Sequence, residues 1–146
     1  MIRIFLDSSV LLSAAYSATG HSRDLLLMAA RNEIVIVISQ LVLEETRQNL
    51  SDYSPNPVAY LEQLIEAIPF EFVRPTRHEV VAAANLVALK DVPIVAAALK
   101  AALDLLVTLD KKHLLGKPEL IEYLGIPIVT PLEAVESIRK INQGKR

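Results

Sequence analysis

The sequence contains no cysteine and no tryptophan, and glycine occurs four times in 146 residues. Without cysteine, disulfide frameworks, iron–sulfur clusters, thiolate zinc sites and cysteine nucleophiles are excluded. The glycines form no G-x-G-x-x-G pattern, and Gly116-Lys117 lacks the other residues of a P-loop. No G-x-S-x-G serine-hydrolase motif is present. His21, His78 and His113 are isolated along the chain, which disfavours a histidine zinc site.

Excess charge of one sign and long hydrophobic runs are also missing. Fifteen Lys and Arg oppose 17 Asp and Glu, giving a formal net charge of −2, so a nucleic-acid role would need a local site. Lys100 and Asp104 interrupt the most apolar stretch, 92–109, whereas a bilayer span needs about 20 mostly uncharged residues. The apolar start, 2–6, is too short for a signal peptide. We therefore expect a cytoplasmic protein that has no contact with membranes.

What the sequence does contain is 52% hydrophobic residues, enough for the core of a single domain over residues 1–146. Short apolar runs predict strands that are buried on both faces. These runs are Ile2–Leu6, Ile34–Ile38, Leu105–Leu109 and Ile126–Val129. Residues 70–73 are either a further strand or an extended connector.

Helix-start signals lie between these runs. Ser39 precedes the helical segment 40–50, and the capping boxes are Thr76 with Glu79 and Thr130 with Glu133. The alternation of strands and helices predicts an α/β fold with a parallel sheet.

Carboxylates follow two of the predicted strands. Ligands of an open parallel sheet bind beyond the carboxyl ends of its strands, where Asp7 and Asp110 are placed. Capping of the helix that begins at Ser8 is an equally good interpretation of Asp7, and capping of a turn is the alternative for Asp110. Asp104 precedes its strand and so lies at the wrong end of the sheet.

Two further carboxylates are candidates from helix geometry. In the helix 40–50, Glu44 falls opposite the apolar side, whereas Glu45 falls on its shoulder and could point along the sheet edge toward Asp7. Asp91 precedes Val92 and Pro93, which indicates a helix N-cap and does not exclude metal binding through the second carboxylate oxygen. Three or four such groups converging at one edge would repel one another without a divalent cation, and oxygen ligands favour Mg²⁺ or Mn²⁺.

These positions together resemble the PIN-domain nuclease family, which includes the toxin ribonucleases of VapBC-type toxin–antitoxin pairs. The resemblance covers nearly the whole chain and rests on four segments. They are Ile4–Leu11, Ile38-Ser39 with Leu43-Glu44-Glu45, Lys90–Ala98 and Asp104–Leu114. It implies a three-layer α/β/α fold with a central parallel sheet of four or five strands.

The resemblance also implies site residues and a reaction. Asp7, Glu45, Asp91 and Asp110 correspond to the family's acidic quartet, which holds Mg²⁺ or Mn²⁺ for hydrolysis of RNA phosphodiester bonds. Ser9 and Thr108 correspond to small polar residues that support the quartet. Position 9 departs from the pattern, because Asn is frequent there, although a serine hydroxyl can still bind a carboxylate.

The sequence and the family resemblance also suggest residues for contact with RNA and with protein partners. Lys111, Lys112 and His113 are candidates for RNA contact, and an ordinary solvated turn is the alternative. Small proteins of this family commonly form homodimers and bind an antitoxin protein. Val10–Leu12 and Leu25–Met28 could supply such an interface or belong to the protein's own core.

Two other functions stay open. One is a Mg²⁺-binding phosphoryl-transfer or receiver-like domain, although Asp7 has no acidic neighbour in the sequence. The other is a non-catalytic PIN-like binding protein, against which the presence of all four acids argues.

Overall fold

The structure is a computed structural model that describes residues 1–17, 20–52, 58–84 and 92–144. Within these ranges, five strands form one parallel sheet in the order β3-β2-β1-β4-β5. The strands are β1 (Arg3–Leu6), β2 (Val35–Ser39), β3 (Glu71–Val73), β4 (Leu105–Val107) and β5 (Ile128–Val129). The parallel sheet of four or five strands that we expected is therefore confirmed with five.

Helices cover both faces of this sheet. They are α1 (Ser8–Tyr16), α2 (His21–Ala30), α3 (Gln40–Leu50), α4 (Val58–Ala67), α5 (Arg77–Ala83), α6 (Val92–Lys100), α7 (Pro118–Leu124) and α8 (Pro131–Gly144). Helix α1 packs against α2, α3 and α4, and α2 packs against α8. Helix α6 packs against α5 and α7. Right-handed crossovers place α1, α2, α3, α4 and α8 on one face of the sheet and α5, α6 and α7 on the other, which gives the expected three layers.

The strand interiors are apolar because both faces are covered. Ile4, Phe5, Leu6, Ile36 and Leu106 have no exposed surface, as expected for parallel strands between helix layers. The buried apolar side chains form one continuous cluster.

The strand ends differ from the sequence prediction by one or two residues. Strand β4 ends at Val107 rather than Leu109, because the chain turns after Thr108 and leaves Leu109 43% exposed. Strand β5 begins at Ile128 rather than Ile126, after a proline that has no N–H to donate to the ladder. Segment 70–73, which the sequence left open, contains β3, an edge strand paired with β2.

The predicted helix starts are confirmed. Thr76 and Glu79 form a reciprocal capping box at α5. At α8, Glu133 accepts from the Thr130 N–H at 3.0 Å, and the Glu133 N–H donates to the Thr130 hydroxyl at 3.2 Å. The Ser39 hydroxyl accepts from the Val42 N–H at 3.2 Å, and α3 then covers the predicted residues 40–50.

The two apolar segments considered for an interface lie mainly in the protein's own core. Val10, Leu11, Leu25 and Leu26 are at most 1% exposed, whereas Leu27 is 44% exposed. In the described parts of the chain, no helix has the length and apolar character needed to cross a membrane.

Candidate active site

The candidate site lies where the chain leaves the sheet in opposite directions. After β1 the chain enters α1 on one face, and after β4 it proceeds toward α7 on the other face. Such a reversal between adjacent strands opens a crevice at their carboxyl ends. Asp7 follows β1, while Thr108 and Asp110 follow β4, so residues about a hundred positions apart meet at this crevice.

Asp7 is held by a shell of hydrogen-bond donors. Asp7 is 3% exposed, and its Oδ1 accepts from the Val10 N–H at 3.3 Å, which makes Asp7 the N-cap of α1. The Ser9 hydroxyl also donates to Oδ1, and the Thr108 hydroxyl donates to Oδ2. The capping role and the location at the sheet edge, which the sequence presented as alternatives, therefore occur together.

Burial and hydrogen bonding act on Asp7 in opposite directions. Removal from water raises the pKa of this carboxyl above its ordinary value, while the hydroxyls of Ser9 and Thr108 and the Val10 N–H favour the ionised form. The burial effect is the larger, and the pKa is raised. A nearby cation would stabilise the carboxylate, and this chemistry suits a metal ligand.

The two hydroxyls also tie the ends of β1 and β4 together. Ser9 Oγ accepts from the Leu109 N–H at 3.1 Å, and Thr108 Oγ1 accepts from the Asp110 N–H at 3.0 Å. Each hydroxyl therefore donates to Asp7 and accepts from the segment that carries Asp110.

Asp110 organises the turn that follows β4. Its Oδ1 accepts from the N–H groups of Lys112 at 3.0 Å and His113 at 2.9 Å. His113 Nδ1 lies 3.3 Å from Oδ2. Asp110 therefore caps a turn and also lines the candidate site, so that the two alternatives considered for this residue coexist.

Glu45 reaches the site from α3, whose start is fixed by the Ser39 cap. Glu45 is half-buried and accepts from the Ser8 hydroxyl at 3.2 Å, whereas Glu44 is exposed. The helix geometry had indicated this difference between the two neighbouring glutamates.

The candidate site is a cavity of about 330 Å³ between these elements. The carboxylates of Asp7, Glu45 and Asp110 line it, together with Ser8, Ser9, Leu12, Asn49 and Ile94. Three of the four predicted acidic residues are thus brought to one cavity. Asp91, the fourth, lies outside the described residues and directly precedes α6, which contributes Ile94 to the wall.

The donor set suits a hard divalent cation, since carboxylate oxygens are the groups that Mg²⁺ and Mn²⁺ bind. Among residues 1–17, 20–52, 58–84 and 92–144, no three acidic or histidine side chains stand close enough to share one ion. The described carboxylates therefore have the chemistry of a metal site and line one cavity, but no three of them form a ligand set for one ion.

The other predicted residues lie beside the cavity. Lys111 and Lys112 are exposed on the turn after Asp110, and His113 is half-buried against Asp110. Sequence reasoning missed Ser8 and Asn49. Asn49 follows Glu45 by four residues on α3, a spacing that places two side chains on the same helix face and could have identified it.

Comparisons with known proteins bear on the family and on the fold. A family model described as PIN domain matches residues 3–112. The crystal structure of PAE2754 from Pyrobaculum aerophilum is similar, with a TM-score of 0.65 and 17% sequence identity over 95% of this chain and 96% of that chain. A search of curated proteins found no match.

Proposed function

Because the chain belongs to the PIN-domain family, whose members are in general nucleases, we propose that it is a metal-dependent endoribonuclease that hydrolyses RNA phosphodiester bonds. The observation that carries the proposal is the single cavity lined by Asp7, Glu45 and Asp110, at the crevice between β1 and β4. Carboxylates from separate elements of the fold line this cavity, and carboxylate oxygens are the ligands that a Mg²⁺- or Mn²⁺-dependent site uses.

Asp7, Asp91 and Asp110 are the proposed metal ligands. Glu45 is a further ligand or accepts the proton of the attacking water. When bound, Mg²⁺ or Mn²⁺ supplies a water of lowered pKa and stabilises charge on the scissile phosphate and the leaving oxygen.

The chain's own residues prepare this site. Ser9 and Thr108 fix both oxygens of Asp7, so the orientation of this carboxylate is set before the substrate arrives. The N–H groups of Lys112 and His113 hold one oxygen of Asp110. We assign contacts with RNA phosphates to Lys111, Lys112 and His113, on the turn that follows Asp110.

The strand order argues against the receiver-like alternative. Receiver domains have the order 2-1-3-4-5, whereas this sheet has the order 3-2-1-4-5. A non-catalytic PIN-like protein is the remaining alternative, and an assay of RNA cleavage distinguishes the two.

We further propose that the ribonuclease is the toxin of a toxin–antitoxin pair, and that it forms a homodimer and binds an antitoxin protein. The proposal rests on the likeness to the toxin members of the family. Expression of the wild type should arrest growth, whereas expression of Asp7→Asn should not. Sedimentation velocity should give twice the mass of the monomer. Unimpaired growth or a monomer would contradict the corresponding part of the proposal.

The ribonuclease proposal is tested by incubating single-stranded and hairpin RNAs with the protein and Mn²⁺, Mg²⁺ or EDTA. Asp110→Asn and Asp104→Asn form a matched pair, since the two carboxylates flank β4 at opposite ends. Asp104 accepts from the Arg3 N–H at 2.8 Å, at the edge away from the cavity. We expect metal-dependent cleavage in the wild type and Asp104→Asn, and a loss of at least about 100-fold in Asp7→Asn and Asp110→Asn.

Either of two results would contradict the proposal. Equal cleavage by the wild type and Asp110→Asn would show that the nuclease is a contaminant. Metal binding without cleavage of any RNA would instead favour the non-catalytic binding protein.

A further inference from the structure

A second cavity opens at the same edge of the sheet, beyond the carboxyl ends of β2 and β3. Its volume is about 460 Å³. Glu44 and Pro93 line this cavity, while their chain neighbours Glu45 and Ile94 line the candidate active site. The two cavities therefore lie side by side along α3 and α6.

The walls of this second cavity combine apolar surface with polar groups. Leu41, Val73 and Pro75 supply apolar surface, and Leu41 is 37% exposed. Gln40, Glu44 and Arg74 supply hydrogen-bonding and charged groups. Apolar surface with a few polar groups suits a nucleobase, which has an apolar face and a polar edge.

Arg74 gives this cavity a cation with available donors. It follows β3 directly and is exposed, and no described residue forms an ion pair with it. By contrast, Arg3 and Arg47 are each paired with a glutamate. A guanidinium with free donors is well suited to a phosphate of a nucleic-acid strand.

Gln40 and Glu44 carry hydrogen-bonding groups that suit the edge of a nucleobase. They are four residues apart on α3, so their side chains share one face of the helix. The Glu44 carboxylate accepts hydrogen bonds, and the Gln40 amide both donates and accepts. Guanine offers two adjacent donors, N1–H and N2–H, beside the acceptor O6, and this edge complements a carboxylate with a neighbouring amide.

We propose that the second cavity binds one nucleotide of the RNA strand whose scissile phosphate lies in the neighbouring cavity. Glu44 and Gln40 read its guanine base, and Arg74 contacts its phosphate. This inference rests on the proposed ribonuclease function, and it assigns the enzyme a preference for single-stranded RNA with a guanine beside the cut.

The phosphate contact is tested by RNA binding without cleavage. Fluorescence anisotropy of an oligouridylate with one central guanosine is measured with Asp7→Asn and, separately, with the wild type in EDTA. Arg74→Ala should weaken binding about tenfold and reduce the slope of log K against log salt by about 0.7, the effect of one lost phosphate contact on a single strand. Arg31→Ala is the matched control, because it removes the same charge next to α2, before β2, at the opposite edge of the sheet. It should change neither quantity.

The base contact is tested by replacing the central guanosine with adenosine. The guanosine oligonucleotide should bind about tenfold more tightly, and Glu44→Gln should abolish this preference while leaving the salt slope unchanged. Equal effects of Arg74→Ala and Arg31→Ala, or equal affinity for both oligonucleotides, would overturn the proposal.

Binding and cleavage give separable answers. Cleavage by the wild type with no effect of Arg74→Ala would leave the ribonuclease intact and overturn this cavity's role. RNA binding that depends on Arg74 and Glu44, without metal-dependent cleavage, would keep the nucleotide cavity and overturn the ribonuclease.

Discussion

Asp7 shows how a single carboxylate acquires both a structural and a chemical role. It caps α1 through the Val10 N–H and receives hydroxyl donors from Ser9 and Thr108. Despite these donors, its burial dominates and raises its pKa. An ionised Asp7 is therefore destabilising in the metal-free protein, and its stability should depend on pH in a defined direction.

The destabilisation by ionised Asp7 should appear when the free energies of unfolding of the metal-free wild type and of Asp7→Asn are compared. Because the folded-state pKa lies above 3.8, the folded protein binds this proton more tightly than the unfolded chain does. Stability contributed by Asp7 is then greatest below pH 3.8 and falls as pH rises through the folded-state pKa. Asn does not titrate, so Asp7→Asn should gain stability relative to the wild type over that interval.

Urea unfolding in EDTA, from below pH 3.8 to neutral pH, measures this difference. The comparison with Asp7→Asn removes the contribution of other titrating groups. If the wild type instead gained stability relative to the variant as pH rose, the hydroxyl donors would outweigh burial.

At the scale of the elements, sequence patterns predicted helix starts better than strand boundaries. Capping residues mark a helix start locally, and Thr76 and Ser39 were both identified in this way. Strand ends depend on neighbours that are distant in sequence. At the end of β4, for example, the Thr108 N–H still donates to the Val129 carbonyl of β5, while its hydroxyl donates to Asp7, which lies a hundred residues earlier in the chain. Strand β3 was ambiguous because it is short and its Phe72 is 44% exposed, so the segment lacks the run of buried apolar residues that indicates a parallel strand.

The N-cap of α3 should matter because this helix carries Glu45. Ser39 is 4% exposed, and its hydroxyl accepts from the Val42 N–H. Ser39→Ala should lower the free energy of unfolding by about 1 kcal/mol. Ser51→Ala at the other end of α3 is the control, because its exposed hydroxyl contacts the Gln48 carbonyl, and it should cost less than about 0.5 kcal/mol. Urea unfolding with unchanged m-values checks both, and equal losses would refute the importance of the cap.

At the scale of the molecule, the sheet order assembles the candidate site. Asp7, Glu45 and Asp110 belong to segments far apart in the chain, and the placement of β1 between β2 and β4 brings them to one edge. The sequence alone identified the three carboxylates as candidates and indicated that Asp7 and Asp110 follow strands. It could not show that Ser9 and Thr108 each bridge Asp7 to the β4 turn, because those bridges exist only after β1 and β4 pair.

Because the carboxylates converge only in the folded protein, metal binding should stabilise the whole molecule. An ion at 100 times its dissociation constant adds about 2.7 kcal/mol, or about 5 to 10 °C in Tm for a domain of this size. Mn²⁺ should therefore raise the Tm of the wild type and of Asp104→Asn in differential scanning calorimetry. Asp7→Asn and Asp110→Asn should show little change, because each removes a carboxylate from the cavity. Equal stabilisation of all four proteins would show that the ion binds elsewhere and that the cavity is not the metal site.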